Sequence, residues 1–248
     1  MSAAFPMDAA LKPRHHLSAA ELAHIAETGE LIEAMNSGGP KVICAEVSSG
    51  SRMILKLWYP QRLLSSARFF PYSHRFRRNA ARLRALNVNA PRVRGWGKAG
   101  NKGAHFVCYE ELPGQSLRQW LPEADLSGVG QFVALLHDAG IDFRSLHMGN
   151  ILWDGADTYS LVDVTDCGFR DRPLNLGNRA RRMVYLCTHR REREYFRSSG
   201  HWVDLFKAYC ETAAIPSEDF LNTARRRRNR RRLPAGVRQA AETLLFAS

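Results

Sequence analysis

Alternation and helical periodicity divide the chain into a strand-rich first part and a helical second part. Runs from Leu31 to Met35, Lys41 to Val47 and Arg52 to Tyr59 are separated by Asn36-Ser37-Gly38-Gly39-Pro40 and Ser48-Ser49-Gly50-Ser51. Turn residues at that spacing predict three strands in an antiparallel meander. In the third run Met53, Leu55 and Leu57 share one face while Ile54, Lys56 and Trp58 share the other, so Lys56 stands among apolar neighbours. From Tyr72 to Leu86 the apolar residues Phe76, Ala80 and Leu83 recur at helical spacing, with Asn79 beside the stripe. Two further strands are expected at Arg92–Trp96 and His105–Tyr109, before Glu110-Glu111-Leu112-Pro113-Gly114 breaks the pattern. Beyond it Val129, Phe132, Val133 and Leu136 mark a helix that stops at Gly140.

The flanks follow the same logic. Ser18-Ala19-Ala20-Glu21 is a capping box that opens a short helix through Leu22, Ile25 and Ala26, ending at Gly29. Near the other end, one long amphipathic helix is expected from Leu176 to Phe196. It would bury Ala180, Met183, Val184, Leu186 and Cys187 and turn Arg179, Arg181, Arg182, Arg190, Arg191 and Arg193 outward. Trp202, Leu205, Phe206 and Tyr209 mark another helix, and Ser217 is placed to cap a last one. The expected organisation is therefore an N-terminal extension (1–29), a β-rich lobe (30–111) and a helical lobe (112–248) with a basic tail. The fold class is α+β, with a small antiparallel N-lobe and a helical C-lobe.

Composition narrows the partners. Five scattered cysteines, odd in number and without a C-x-x-C spacing, argue against a disulfide framework or a zinc site and fit a reducing cytosol. The first residues lack a signal-peptide layout, and no apolar run approaches the roughly 18 residues that span a bilayer, so a soluble or peripheral protein is expected. Formal net charge is +12, and no Asp or Glu occurs from Val47 to Tyr109. A second basic cluster runs from Arg225 to Arg232. Such surfaces suit nucleic acid, anionic lipid or a phosphorylated substrate, or are simply solvated, and charge alone does not choose.

The densest chemistry lies in Phe143-Arg144-Ser145-Leu146-His147-Met148-Gly149-Asn150-Ile151-Leu152, followed by Leu161-Val162-Asp163. An Asn opening one apolar run and an Asp ending the next can aim two oxygen ligands at one hard cation. Asn150 also reads as a turn residue bonding its own backbone, and Lys56 as a lysine snorkelling from an edge strand. Gly38 and Gly39 either let backbone amides approach a phosphate or form an ordinary hairpin turn; Pro40 lacks an N–H, and the run is not G-x-G-x-x-G.

The order of these parts resembles the protein-kinase-like fold. Within it, the best match is to the lipopolysaccharide-core kinases (the Kdo/WaaP-like family), neighbours of the aminoglycoside and choline kinases. Phe143 to Asn150 is similar, without a gap, to the catalytic loop H-R-D-L-x-x-x-N of protein kinases and D-L-H-x-G-N of small-molecule kinases. The resemblance implies ATP and Mg²⁺ as cofactors, with Lys56 on the α- and β-phosphates and Asn150 and Asp163 on the metal. It also implies Gly38 and Gly39 over the phosphates, and Glu110 to Leu112 as the interlobe hinge whose backbone bonds the adenine. Two oxygen donors cannot cage Mg²⁺, so waters and phosphate oxygens would complete the octahedron.

Departures from the family pattern bear on activity. Ser145 stands where the family has its catalytic Asp, and Phe143 where it has His. A hydroxyl can position an acceptor but is a poor base near neutrality. Asn79 occupies the place of the glutamate that pairs with the strand lysine, and Val164 follows Asp163 where D-F-G would continue. Replacement carboxylates are Asp142 and Asp166. His147 reads either as a polar group contacting the transferred phosphoryl or as a loop histidine bonding backbone.

Three functions remain in view. One is an ATP- and Mg²⁺-dependent phosphotransferase acting on a lipopolysaccharide core sugar or related envelope glycolipid. It would be cytoplasmic, or peripheral at the inner face of a bacterial inner membrane, with an anionic glycolipid or phosphorylated sugar as acceptor. The second is a pseudokinase that binds nucleotide or a partner without turnover. The third, a nucleic-acid binder, rests on charge alone and ranks last.

Overall fold

A computed structural model describes residues 5–35, 40–59, 71–100, 103–121, 124–186, 189–199 and 201–228. The chain divides into two compact units, Met1–Leu112 and Pro113–Ser248. The turn containing Gly38 and Gly39, Cys187, and the arginine side chains from Arg225 onward lie outside the described residues.

The first unit is organised on a six-stranded sheet. Its elements in chain order are β1 (Pro13–Leu17), α1 (Ala19–Thr28), β2 (Glu30–Ala34), β3 (Pro40–Glu46), β4 (Arg52–Trp58), α2 (Tyr72–Ala85), β5 (Val93–Ala99) and β6 (Ala104–Glu110). The strand order is β1-β5-β6-β4-β3-β2, with β2, β3 and β4 forming the expected meander. The sheet is mixed rather than purely antiparallel, because β1 pairs parallel to β5.

Pro13-Arg14-His15-His16-Leu17 carries a single aliphatic side chain, so alternation did not reveal β1. Glycines on the neighbouring strand accommodate the N-terminal segment. A Cβ on Gly95 would fall 1.9 Å from the Ala10 carbonyl oxygen, and one on Gly97 would fall 1.7 Å from that of His15. Only glycine permits this backbone approach.

Alternation sorts the two sheet faces. On one, Ile43, Met53, Leu55, Leu57, Phe106 and Cys108 pack with Met7, Leu17 and Ile25 into a dry core. Ser18 caps α1 through the predicted capping box. On the other face Phe76 of α2 lies 5.6 Å from Trp58 and 5.4 Å from Tyr109, ring centre to ring centre.

The second unit is mainly helical. It comprises β7 (Gln115–Ser116), α3 (Leu117–Trp120), α4 (Leu126–Asp138), β8 (Ile141–Phe143), β9 (Ile151–Trp153), β10 (Tyr159–Leu161), β11 (Cys167–Phe169), α5 (Leu176–Leu186), α6 (Arg190–Ser199), α7 (Trp202–Thr212) and α8 (Ser217–Arg228). Helices α4 and α7 pack together, burying Val129, Val133, Leu205 and Tyr209.

The long helix expected from Leu176 to Phe196 is instead the pair α5 and α6. Arg179 and Arg182, expected in solvent, are each 4% exposed. Arg179 pairs with Asp138 at 2.5 Å and Arg182 with Asp142 at 2.5 Å, so acids delivered by other elements make their burial tolerable.

The whole is α+β, a β-rich unit followed by a helical one, as the kinase-like order of parts implies. Cys44, Cys108, Cys167 and Cys210 are buried, with no disulfide among the described residues. No helix among the described residues is long and apolar enough to cross a membrane.

Candidate functional site

The loop from Phe143 to Asn150 leaves the two-stranded pair β8–β11 and enters the hairpin β9–β10. Phe143, where the family has His, is 1% exposed and belongs to the core. The loop then folds on itself. The Asn150 amide nitrogen donates to the Ser145 carbonyl at 2.9 Å, and the Asn150 N–H donates to the His147 carbonyl at 2.8 Å. Asn150 thus has its amide nitrogen anchored, which fixes the side-chain oxygen as the atom able to face a cation.

Pairing of β9 with β10 places Asp163 beside that oxygen's residue. Leu161 is in register with Ile151, and the Val162 N–H donates to the Asn150 carbonyl at 3.0 Å. Asp163 follows directly, with φ 52° and ψ 42°. That left-handed conformation is uncommon for a non-glycine residue and characteristic of functional sites, where the surrounding structure holds it in place.

Among the described residues no group of three or more His, Cys, Asp and Glu could hold a metal ion by itself. One amide oxygen and one carboxylate do fit Mg²⁺, an ion that keeps waters and takes the rest of its octahedron from phosphates. Asn150 and Asp163 would hold it, and its chemistry would be to neutralise charge on the phosphates.

Ser145, where the kinase resemblance would place an Asp, has a carboxylate beside it. Ser145 Oγ donates to Asp166 Oδ2 at 3.1 Å, and the Arg144 N–H donates to the Asp166 carbonyl at 3.2 Å. A carboxylate is therefore present beside Ser145, supplied from the segment after Asp163. Asp142, the other candidate, is 8% exposed and held by Arg182 at 2.5 Å and Arg170 at 3.4 Å. Burial acts to raise its pKa, but the hydrogen bonds and charges of the two arginines leave it below the usual carboxylate value. It is a structural anion, not a base.

His147 is held by its own loop. Its Nδ1 accepts from the Gly149 N–H at 3.1 Å, and its ring packs edge-on against His189 at 4.8 Å. Burial, with His189 and Arg118 nearby, lowers its pKa to about 4 against the pull of Glu192 and Asp163. The ring is neutral at pH 7, offering an Nε2–H donor and not the cation that its position suggests.

Sequence reading missed Arg118. Its Nε donates to Glu192 Oε1 at 2.7 Å, and Glu192 is wholly buried. A Cβ on Gly149 would stand 3.0 Å from the Arg118 guanidinium carbon. The glycine before Asn150 therefore makes room for an arginine that lies along the loop. No signal short of the tertiary contact points to it, since Arg118 and Glu192 are 74 residues apart.

In the first unit Lys56 lies on β4, an interior strand, and is 6% exposed. It is not the edge-strand lysine that snorkelling requires. Its ammonium stands 5.6 Å over the Trp58 ring and 5.9 Å over Phe76, and Asn79, 1% exposed, follows Phe76 by one turn of α2. Glu110 pairs with Arg94 at 2.5 Å, and its N–H donates to the Arg92 carbonyl at 3.4 Å. Leu112, half-buried, is the last residue of the unit.

No protein-family model matches the chain, and no curated protein does. Among solved structures it is similar to WbdD. In one crystal structure of that protein the TM-score is 0.47 at 15% identity over 83% of this chain and 48% of WbdD. In a second, of WbdD as a bifunctional kinase-methyltransferase, the values are 0.46, 15%, 83% and 47%. A co-crystal of WbdD with a kinase inhibitor gives 0.44, 17%, 72% and 45%. The chain spans about half the length of these structures.

Proposed function

We propose that this chain is a kinase-like phosphotransferase using ATP and Mg²⁺. The observation that carries the reading is the open end of the β9–β10 hairpin. It sets Asn150, at the end of the loop whose Ser145 is hydrogen-bonded to a carboxylate, beside a left-handed Asp163. In this reading Asn150 and Asp163 bind the metal, Lys56 binds the α- and β-phosphates, and Gly38, Gly39, Glu110 and Leu112 contact the nucleotide. Asp166, through or beside Ser145, receives the acceptor hydroxyl's proton. Phosphoryl transfer depends mainly on positioning and charge stabilisation, so a relocated carboxylate is compatible with turnover.

The acceptor in this proposal is a lipopolysaccharide core sugar or related envelope glycolipid, met at the cytoplasmic face of the inner membrane. The net charge of +12 supports an anionic acceptor. A pseudokinase is the second reading, favoured by Ser145 at the catalytic position and by Asn79 in place of a glutamate.

Melting temperature with ATP and Mg²⁺ tests the nucleotide site. A rise that disappears in Asp163→Ala supports it, whereas no rise at saturating nucleotide removes the enzyme and the nucleotide-binding pseudokinase alike. Phosphate transfer to a core oligosaccharide then separates enzyme from pseudokinase. On the enzyme reading, Asp166→Asn lowers kcat by roughly 10²–10⁴-fold, the range of a general base, without changing the nucleotide shift.

A further inference from the structure

Three cations of the first unit, Arg14, Arg77 and Lys98, line one cavity together with four histidines. Three adjacent strands, β1, β5 and β6, place His16, Lys98 and His105 in register on one face of the sheet. The cavity over this row has a volume of about 340 Å³. The first turn of α2 closes its other side with Ser73, His74 and Arg77, and Arg14 and His15 form its rim. Among the described residues no acid lines it. Four glutamates of the unit that do not line the cavity are paired: Glu30 and Glu111 with Arg52, Glu33 with Lys41, and Glu110 with Arg94.

Two features distinguish this cavity from a solvated basic face. Arg77 is fixed, its guanidinium stacked 4.0 Å over the Trp96 ring. A stacked guanidinium keeps its edge donors pre-organised for a tetrahedral oxyanion. Its like-charged neighbour is Arg14, and burial and that charge together pull the Arg77 pKa downward. The helix start adds to the field. α2 is capped by Pro71 without a side-chain hydrogen bond, so the positive end of a 14-residue helix opens beside these cations.

We infer that the cavity between α2 and the β1–β5–β6 face is a binding site for a phosphate-bearing ligand, with Arg77 and Lys98 as its charged contacts and His16, His74 and His105 as hydrogen-bond donors. Its volume lies within the roughly 300–1,000 Å³ of small-ligand sites, so a phosphate with a sugar-sized group attached can enter. A phosphate monoester in solution and a phospholipid headgroup present the same chemistry. The proposal does not rest on the chain being a kinase: His105 is in register with Trp58, two residues from Lys56, but no residue lining the cavity is one assigned to the nucleotide.

Calorimetric titration of the full chain with inorganic phosphate, against chloride at equal ionic strength, tests it. So does co-sedimentation with phosphatidylcholine vesicles with and without phosphatidic acid. Both are run without Mg²⁺ and repeated in Lys56→Gln, so that phosphate held at the proposed nucleotide site is recognised by its loss there. At least one probe is expected to bind, and Arg77→Gln and Lys98→Gln are each expected to weaken that binding about tenfold. Arg94→Gln, which removes an equal charge outside the cavity, leaves it unchanged. Binding to vesicles alone names a lipid headgroup as the source, and binding of inorganic phosphate names a soluble ester. Lys98 is exposed, so Lys98→Gln reports even if Arg77→Gln perturbs folding. Binding of neither probe overturns the proposal, and so does equal weakening by Arg94→Gln.

Discussion

Arg77 of the first unit and the buried arginines of the second have opposite fates. In the second, Arg179 and Arg182 are buried and meet Asp138 and Asp142 from other elements, and Arg118 meets the buried Glu192. In the first, Arg77 stacks on Trp96 over a cavity lined by further cations and, among the described residues, no acid. An arginine therefore serves as a structural tie in one place, as Arg52 and Arg94 also do at the surface of the first unit, and as a source of field in the other. What decides is whether another element delivers a carboxylate to it, because a buried guanidinium without one is too costly to keep.

The sharpest way to break that contrast is to remove one half of a tie. Arg182→Met leaves the buried Asp142 carboxylate with only the longer 3.4 Å contact to Arg170 and should cost up to about 3–5 kcal/mol in denaturant unfolding. Adding Asp142→Asn should restore much of it, whereas a loss that persists in the double variant would mean that packing, not charge, holds this region.

Acid probes the same neighbourhood. His137 is fully buried, with Nδ1 2.8 Å from the Tyr209 hydroxyl. Burial first, then Arg179, lowers its pKa to about 3. The unfolded chain takes up this proton near pH 6.5 while the folded chain refuses it, so stability is full above about pH 6.5 and declines as pH falls toward about 3. Melting temperature followed over this range should flatten in His137→Gln, and an unchanged slope would place the titrating group elsewhere.

Smaller effects test function and the unpaired half of the comparison. Asp163→Gly relieves a left-handed non-glycine residue and should stabilise the chain by up to about 1 kcal/mol while abolishing the ATP–Mg²⁺ shift. Arg77→Gln should change stability by about 0.5 kcal/mol or less, because the stacking lost on Trp96 is offset by relief from Arg14. A loss comparable to that of Arg182→Met would erase the distinction between the two kinds of arginine.

Much of the fold was legible because its signals are local. Alternation located β3 and β4 to within a residue, and the capping box at Ser18 located α1. β1 was not legible, since its place is fixed by backbone contact with Gly95 and Gly97 and not by its own side chains. The run from Arg179 to Arg193 read as a solvent face because its partner acids, Asp138 and Asp142, lie about 40 residues earlier. At the candidate site, the loop and the following Asp163 could be picked out by spacing. The hydrogen bond from Ser145 to Asp166 could be guessed only as one of several options.

Order along the chain was enough for what depends on near neighbours: strand faces, helix starts, and Asn150 and Asp163 at the outer ends of two consecutive short strands. Only the tertiary structure decided which charges are paired. It closed Asp142 off between Arg182 and Arg170, made His147 neutral, laid Arg118 along Gly149, and aligned His16, Lys98 and His105 across three strands. The reason is physical. Backbone preference acts over a few residues, whereas the free energy of a charge is set by whatever the whole fold places within a few ångströms of it.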